Sequence, residues 1–243
     1  MAKTLADART VATIHLLMIK RAFVIYFVIF TLFPISFLFF AKYLTPPGVP
    51  VGSRLITGSI VFSLGLTIVN ELAQTLLNER FNQQLKLIVV APVSKASYAI
   101  GIITSGLVRG VLSSYIILLF APVFGVHIHL SLWLIPLSLL CALSLTGVAL
   151  VIGTWSPSQQ TGNLLANTVG ILIVLFSPLY YPLSRLPGWL RWPAKFSPYT
   201  HAASAIDGVL SGTQHFYGEM ALLTAVTAVA MALGVWGMRW RDV

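Results

Sequence analysis

Leu130 to Gly153 reads LSLWLIPLSLLCALSLTGVALVIG, an apolar run without one charged side chain. A helix rises 1.5 Å per residue, so about 20 mostly apolar residues cross the hydrocarbon core of a bilayer, and this run is long enough. Five more runs of the same kind flank it: Ala22 to Ala41, Leu55 to Thr75, Ile102 to Phe124, Leu164 to Tyr181 and Met220 to Met238. Breakers such as Pro46-Pro47-Gly48 and Thr154 to Gly162 separate them and suit turns at a membrane surface. The sequence therefore predicts an all-α, polytopic membrane protein of six spans forming one domain over residues 1–243, with little chain left for a soluble domain.

Composition agrees: 57% of the residues are hydrophobic and 9% charged, whereas soluble domains carry roughly 25% charged residues. The net charge of +9 does not point to nucleic acid, because the Lys and Arg residues sit between apolar runs rather than on one solvated face. Counted on alternate sides of six spans, Lys3, Arg9, Lys20, Arg21, Arg80, Lys86, Lys95, Arg239 and Arg241 lie together. Lys42, Arg54, Arg185, Arg191 and Lys195 lie opposite, and Arg109 falls inside a span. That bias predicts both termini in the cytoplasm. The first run, behind Lys20-Arg21, is longer than a signal-peptide core of ~7–15 residues, and Phe39-Phe40-Ala41 is a poor cleavage site, so it reads as an uncleaved span. The one cysteine, Cys141, excludes a disulfide framework.

Three segments are not simple spans. Residues Leu5 to Met18 place Leu5, Ala8, Ala12 and His15 or Leu16 on one helical face, which suits a helix lying in the interface; a longer, bent first span fits the same residues. Residues Asn78 to Val90 start too polar to span, yet Phe81, Leu85 and Ile88 recur at helical spacing, which predicts a short amphipathic helix. From Ser177 to Gly212, prolines at 178, 182, 187, 193 and 198 alternate with aromatic residues. One continuous helix is thereby prevented, and short half-helices dipping into the outer leaflet are expected.

Several chemistries are missing. There is no Gly-Lys pair, hence no phosphate-cradling loop: no cofactor is expected on this chain, and ATP with Mg would have to bind a separate subunit. The five histidines lie at or beyond the span ends, which speaks against an intramembrane protease, and His127 with His129 lacks a nearby carboxylate or thiolate for a metal. Only Glu71 and Arg109 bring charge into spans, at depths that allow them to pair; structural pairing, contact with an anionic substrate head group and subunit contact all remain open. Gly106 with Gly110 and Ser59 with Ser63 mark close helix approach, within one subunit or between two.

Two local motifs then carry a resemblance over nearly the whole chain. Glu79, Arg80, Leu87 or Ile88, Pro92 and Ser94, followed by Tyr98 and Gly101, resemble the Glu-Arg-x-x-Gly-x-x-x-x-Leu-x-x-x-Pro-x-Ser segment of the type 2 ABC exporter permeases, with Gln83, Gln84 and Lys86 departing from its Gly-Thr-Leu-Glu portion. Pro182-Leu183-Ser-Arg-Leu186-Pro187-Gly-Trp189-Leu190 and Ser197-Pro198-Tyr199-Thr200 resemble that family's outer segment, although Asp207 stands where a basic residue is common. The resemblance implies a non-enzymatic permease subunit of an exporter, with membrane lipids around it. Its partners would be an ABC ATP-binding subunit and a second permease copy or a related permease. It makes 78–90 a coupling helix whose Glu79, Arg80, Phe81 and Leu85 contact the ATPase, and 182–212 a re-entrant gate with Pro182, Pro187, Trp189, Pro198 and Tyr199. The aromatic first span (Phe23, Tyr26, Phe27, Phe30, Phe33, Phe37) and the scarcity of charge suit a lipophilic or amphiphilic cargo, a drug, lipid or lipid-linked glycan. An ATP-independent scaffold or a membrane-embedded enzyme is the rival reading.

Overall fold

The computed structural model describes residues 2–28, 32–44, 53–83, 90, 93–126, 128–181, 183–213 and 216–237. Among them there is no strand, and the helices are α1 (Ala2–Phe27), α2 (Phe33–Leu44), α3 (Ser53–Phe81), α4 (Lys95–Phe120), α5 (Leu134–Trp155), α6 (Gln159–Phe176), α7 (Gly188–Phe196), α8 (Pro198–Leu210) and α9 (Tyr217–Gly237). In a hydrocarbon medium each backbone N–H and C=O must be paired inside the protein, which apolar helices accomplish alone. Among the described residues four helices are long and apolar enough to cross a membrane: α3, α4 with its 3₁₀ extension to Phe124, α5 and α9.

The differences from expectation have physical causes. The segment expected as a separate interfacial helix at 5–18 runs without a break into the start of the first span, since nothing between residues 18 and 22 is a helix breaker. The rest of that span is α2, only 12 residues, and residues 29–31 lie outside the described set. The fifth run begins earlier than Leu164, at Gln159, because Ser158 Oγ accepts the Thr161 N–H at 3.1 Å and starts α6 there. Gln159, Gln160, Asn163 and Asn167 make its first half polar. The second span does not end at Thr75: α3 continues to Phe81, so residues 78–81 are its last turn rather than the first turn of a new helix. A single helix over 78–90 is therefore corrected. The Asn82 N–H closes the final turn on the Asn78 carbonyl at 2.9 Å, and Gln83 then turns the chain at φ 59°. Residues 84–89 lie outside the described set.

α3 is the mast of the fold. Its most apolar stretch is 89% buried, against 22% for α9, which is peripheral. α4, α5, α6 and α8 surround it, α1 lies along α4, and α9 along α5. The α5–α9 contact is close because Gly147 meets the Ala230 backbone and Gly234 meets Leu150. The Gly106 and Gly110 spacing serves contact inside the chain: a Cβ at Gly110 would stand 2.9 Å from Ile68 of α3, and one at Gly106 3.8 Å from Leu72. Ser59 and Ser63 are likewise buried on α3.

Candidate functional site: the C-terminal end of helix α3

Within α3, residues Leu66–Leu72 are wound as a π-helix. The wider turn shifts the face that follows it, a local irregularity that often marks functional positions. Its Glu71 accepts a hydrogen bond from Arg109 Nη1 of α4, and Arg109 Nε also donates to the Ser105 carbonyl at 3.1 Å. Both side chains are 10% exposed or less. Two charges so far from water are tolerable only as a pair, because either alone would be an uncompensated buried ion.

Two turns on, Asn78, Glu79 and Arg80 each bind a different neighbour. Glu79 is buried. Its Oε2 accepts from the Tyr98 hydroxyl of α4, and its Oε1 lies 2.6 Å from Nε2 of His15 in α1. The other ring nitrogen of His15 donates to the Val11 carbonyl at 2.8 Å, and a carbonyl can only accept, so Nδ1 carries a proton. A second proton must then sit between Nε2 and Glu79, for two lone pairs cannot face each other at that distance. Burial lowers the His15 pKa and Arg109 opposes its charge, yet the Glu79 hydrogen bond and charge, with the Val11 carbonyl, raise it above the ordinary 6.5. Arg80 Nη1 donates to the Thr154 carbonyl at 2.8 Å and the Ser156 carbonyl at 2.9 Å, capping the C-terminus of α5, and its guanidinium lies 5.0 Å from the Phe81 ring centroid. Gln159 of α6 donates to Asn78 Oδ1 at 2.5 Å.

The last turn of α3 is thus tied to α1, α4, α5 and α6, and immediately beyond it Asn82 and Gln83 are exposed while Phe81 is half-buried. Of the four residues expected at an ATPase contact, Glu79 is turned inward with both carboxylate oxygens engaged, Arg80 reaches the end of α5, Phe81 is partly open, and Leu85 lies outside the described residues.

At the opposite end, Pro187 precedes α7, Trp189 on α7 is exposed, and Pro198 is the first residue of α8. Tyr199 is fully buried against Gly65 of α3, its hydroxyl without a hydrogen-bond partner among the described residues. Pro182 lies outside the described residues.

Sequence reasoning missed three pairs. Besides His15–Glu79, Asp207 accepts from Ser53 Oγ at 2.7 Å and Arg54 Nη1 at 3.4 Å, and His201 Nδ1 lies 2.6 Å from Glu219 Oε2. The readable signal was a titratable His on the apolar face of α1, which needs a partner once that face is covered. No group of three metal-binding side chains occurs among the described residues.

Compared with known proteins, residues 5–210 match the family model described as ABC-2 type transporter. No curated protein matches the chain.

Proposed function

This chain belongs to the ABC-2 type transporter family, a multi-pass membrane permease component, and from that premise we propose that it is the membrane half of an exporter driven by ATP hydrolysed on a separate ATP-binding subunit. The cargo is lipophilic or amphiphilic, the permease works as a pair with a second copy or a relative, and both termini face the cytoplasm across six spans.

The observation that carries this reading is the set of ties on the last turn of α3. A push on the exposed Asn82–Gln83 turn cannot be absorbed locally, because Asn78, Glu79 and Arg80 fasten that turn to α6, α1 with α4, and α5 respectively. The displacement moves helices as bodies, which is what a permease needs if nucleotide state on a soluble subunit is to bias two membrane conformations. The contact itself is assigned to the polypeptide from Phe81 onward, with Phe81 and Leu85 as its apolar members. Glu79 and Arg80 act behind it as positioning residues. Pro187, Trp189, Pro198 and Tyr199 form the outer, re-entrant gate. The Glu71–Arg109 pair is structural, as neither side chain is open to a cargo from this chain's interior.

Phe81→Asp in the co-expressed transporter should leave membrane insertion intact and abolish transport-stimulated ATP hydrolysis. Because the sole cysteine, Cys141, is buried, Gln83→Cys is a clean topology probe. Labelling of Gln83→Cys from the outer side, or full stimulation in Phe81→Asp, would refute the reading; absence of any co-purifying ATPase with stable association to other membrane proteins would favour a scaffold.

A further inference from the structure

Between the last turns of α6 and the inner face of α7 lies a cavity of about 530 Å³, within the ~300–1,000 Å³ of small-ligand sites. Leu172 and Phe176 form one wall and Leu190, Pro193 and Ala194 the other. At its end Ser177 and Ser197 satisfy each other, Oγ to Oγ at 2.6 Å, so the lining offers a ligand little beyond apolar surface. A ligand that fits is a hydrocarbon chain whose polar anchor stays outside.

The rim says which anchor. Trp189 and Trp192 are 73% and 69% exposed on α7, the placement aromatic side chains take at a membrane–water boundary. Beside them stand Arg185, Arg191 and Lys195, with Lys195 Nζ 5.8 Å from the Trp192 ring centroid and directly following the groove residue Ala194. No acidic residue occurs from Gln159 to Ile206. The next two, Asp207 and Glu219, are engaged by Ser53 with Arg54 and by His201, and among the described residues none of the three cations is in an ion pair. Arg191 is held by the Leu186 and Ser184 carbonyls, both at 2.7 Å, which neutralise no charge. Under the proposed orientation these cations lie on the outer side, where the positive-inside bias gives them no reason to be.

We propose that this groove binds one acyl chain of an anionic phospholipid whose phosphate lies against Lys195 and Arg191, a lipid site that fastens α7 to α6 and is separate from the nucleotide-driven end of the molecule. The test is native mass spectrometry of the purified full chain in detergent, titrated with palmitoyl-oleoyl phosphatidylglycerol and with phosphatidylcholine of the same chains. The wild type should retain phosphatidylglycerol more tightly. Lys195→Gln should lose about fivefold of that preference while keeping phosphatidylcholine binding unchanged. Leu172→Trp, which fills the groove from a position 41% exposed, should weaken both lipids at least about tenfold without altering the melting temperature. Equal retention of the two lipids by the wild type overturns the proposal, as does a preference untouched by Lys195→Gln. Leu172→Trp that dissociates dimers but leaves lipid retention unchanged also overturns it, and identifies the groove as a contact between copies.

Discussion

The two ends of α3 are fastened by different kinds of bond. At the N-terminal end, outer in the proposed orientation, Ser53 and Arg54 reach Asp207, and Arg54 also reaches the Pro178 carbonyl at 2.9 Å; the Arg54 and Asp207 side chains are 22% and 25% exposed. At the C-terminal end, inner in the proposed orientation, Glu79 meets His15 with side chains 10% and 7% exposed and also accepts from Tyr98 of α4, while its neighbours Asn78 and Arg80 engage α6 and α5. A partly exposed ion pair is screened and contributes little, whereas a buried one is costly to break because it leaves a charge without water or partner. The central helix is therefore anchored firmly at its C-terminal end and lightly at its N-terminal end, so under the proposed function strain delivered by a soluble subunit has its weakest resistance at the far end.

The sharpest way to break that contrast is to remove one acid from each end. Glu79→Ala strands His15 and Tyr98 and should destabilise the protein by about 3–5 kcal/mol. Asp207→Ala should cost about 1 kcal/mol or less, with a salt dependence the inner variant lacks. Thermal unfolding in detergent at low and high salt compares the two; equal losses would remove the distinction between the ends.

A second variant asks whether packing compensates at the outer end. A Cβ at Gly65 would overlap the Tyr199 ring, so Gly65→Ala should cost about 1–3 kcal/mol by overpacking. Gly65→Ala combined with Tyr199→Leu should cost less than the sum of the two single changes, because the smaller side chain makes room. Additive losses in the unfolding midpoints would mean that the overlap is relieved elsewhere.

Protonation separates the ends further. Because the folded state raises the His15 pKa above 6.5, the stability it contributes is fully present below pH about 6.5 and is lost as the pH rises through the raised value. The groups facing the ring from α3 and α4 are Glu79, Tyr98 and Arg109, and Glu79 supplies the attraction. Melting temperature should thus fall on alkalinising the wild type from pH 6 upward, and the same scan of His15→Gln should be flatter. Parallel profiles would place the titrating group elsewhere.

Hydropathy made α3, α4, α5 and α9 legible, because an apolar run of span length has few other uses, and the depth of Glu71 and Arg109 made their pairing readable. The last six residues of α3 were not legible. Leu76 to Phe81 includes Asn78, Glu79 and Arg80, which look like chain leaving the membrane, and only the fold reveals that each polar group has a partner on another helix. The π-helical turn is equally silent, as a single inserted residue leaves the apolar pattern intact. His15 finds its acid 64 positions away, a separation no local spacing encodes. The outer prolines announced a broken helix, yet nothing local said that Tyr199 would be buried against α3 rather than left at the surface.

The smallest effect tests the turn where the inner anchor meets the outside. Gln83 is the one non-glycine residue with positive φ among the described residues, at 59°, and it occupies the place of the glycine in the motif that its neighbours resemble. A side chain in the left-handed region costs roughly 1–2 kcal/mol, and glycine removes that strain while adding freedom to the unfolded chain, so Gln83→Gly should stabilise by roughly 0.5–1 kcal/mol. Gln83 is exposed, so the substitution removes no packing from this chain. Stability and coupling can therefore move in opposite directions: a higher melting temperature with unchanged ATPase stimulation means the strain is incidental. A higher melting temperature with weakened stimulation means that the glutamine side chain, held out by a strained turn on a rigid anchor, touches the motor itself.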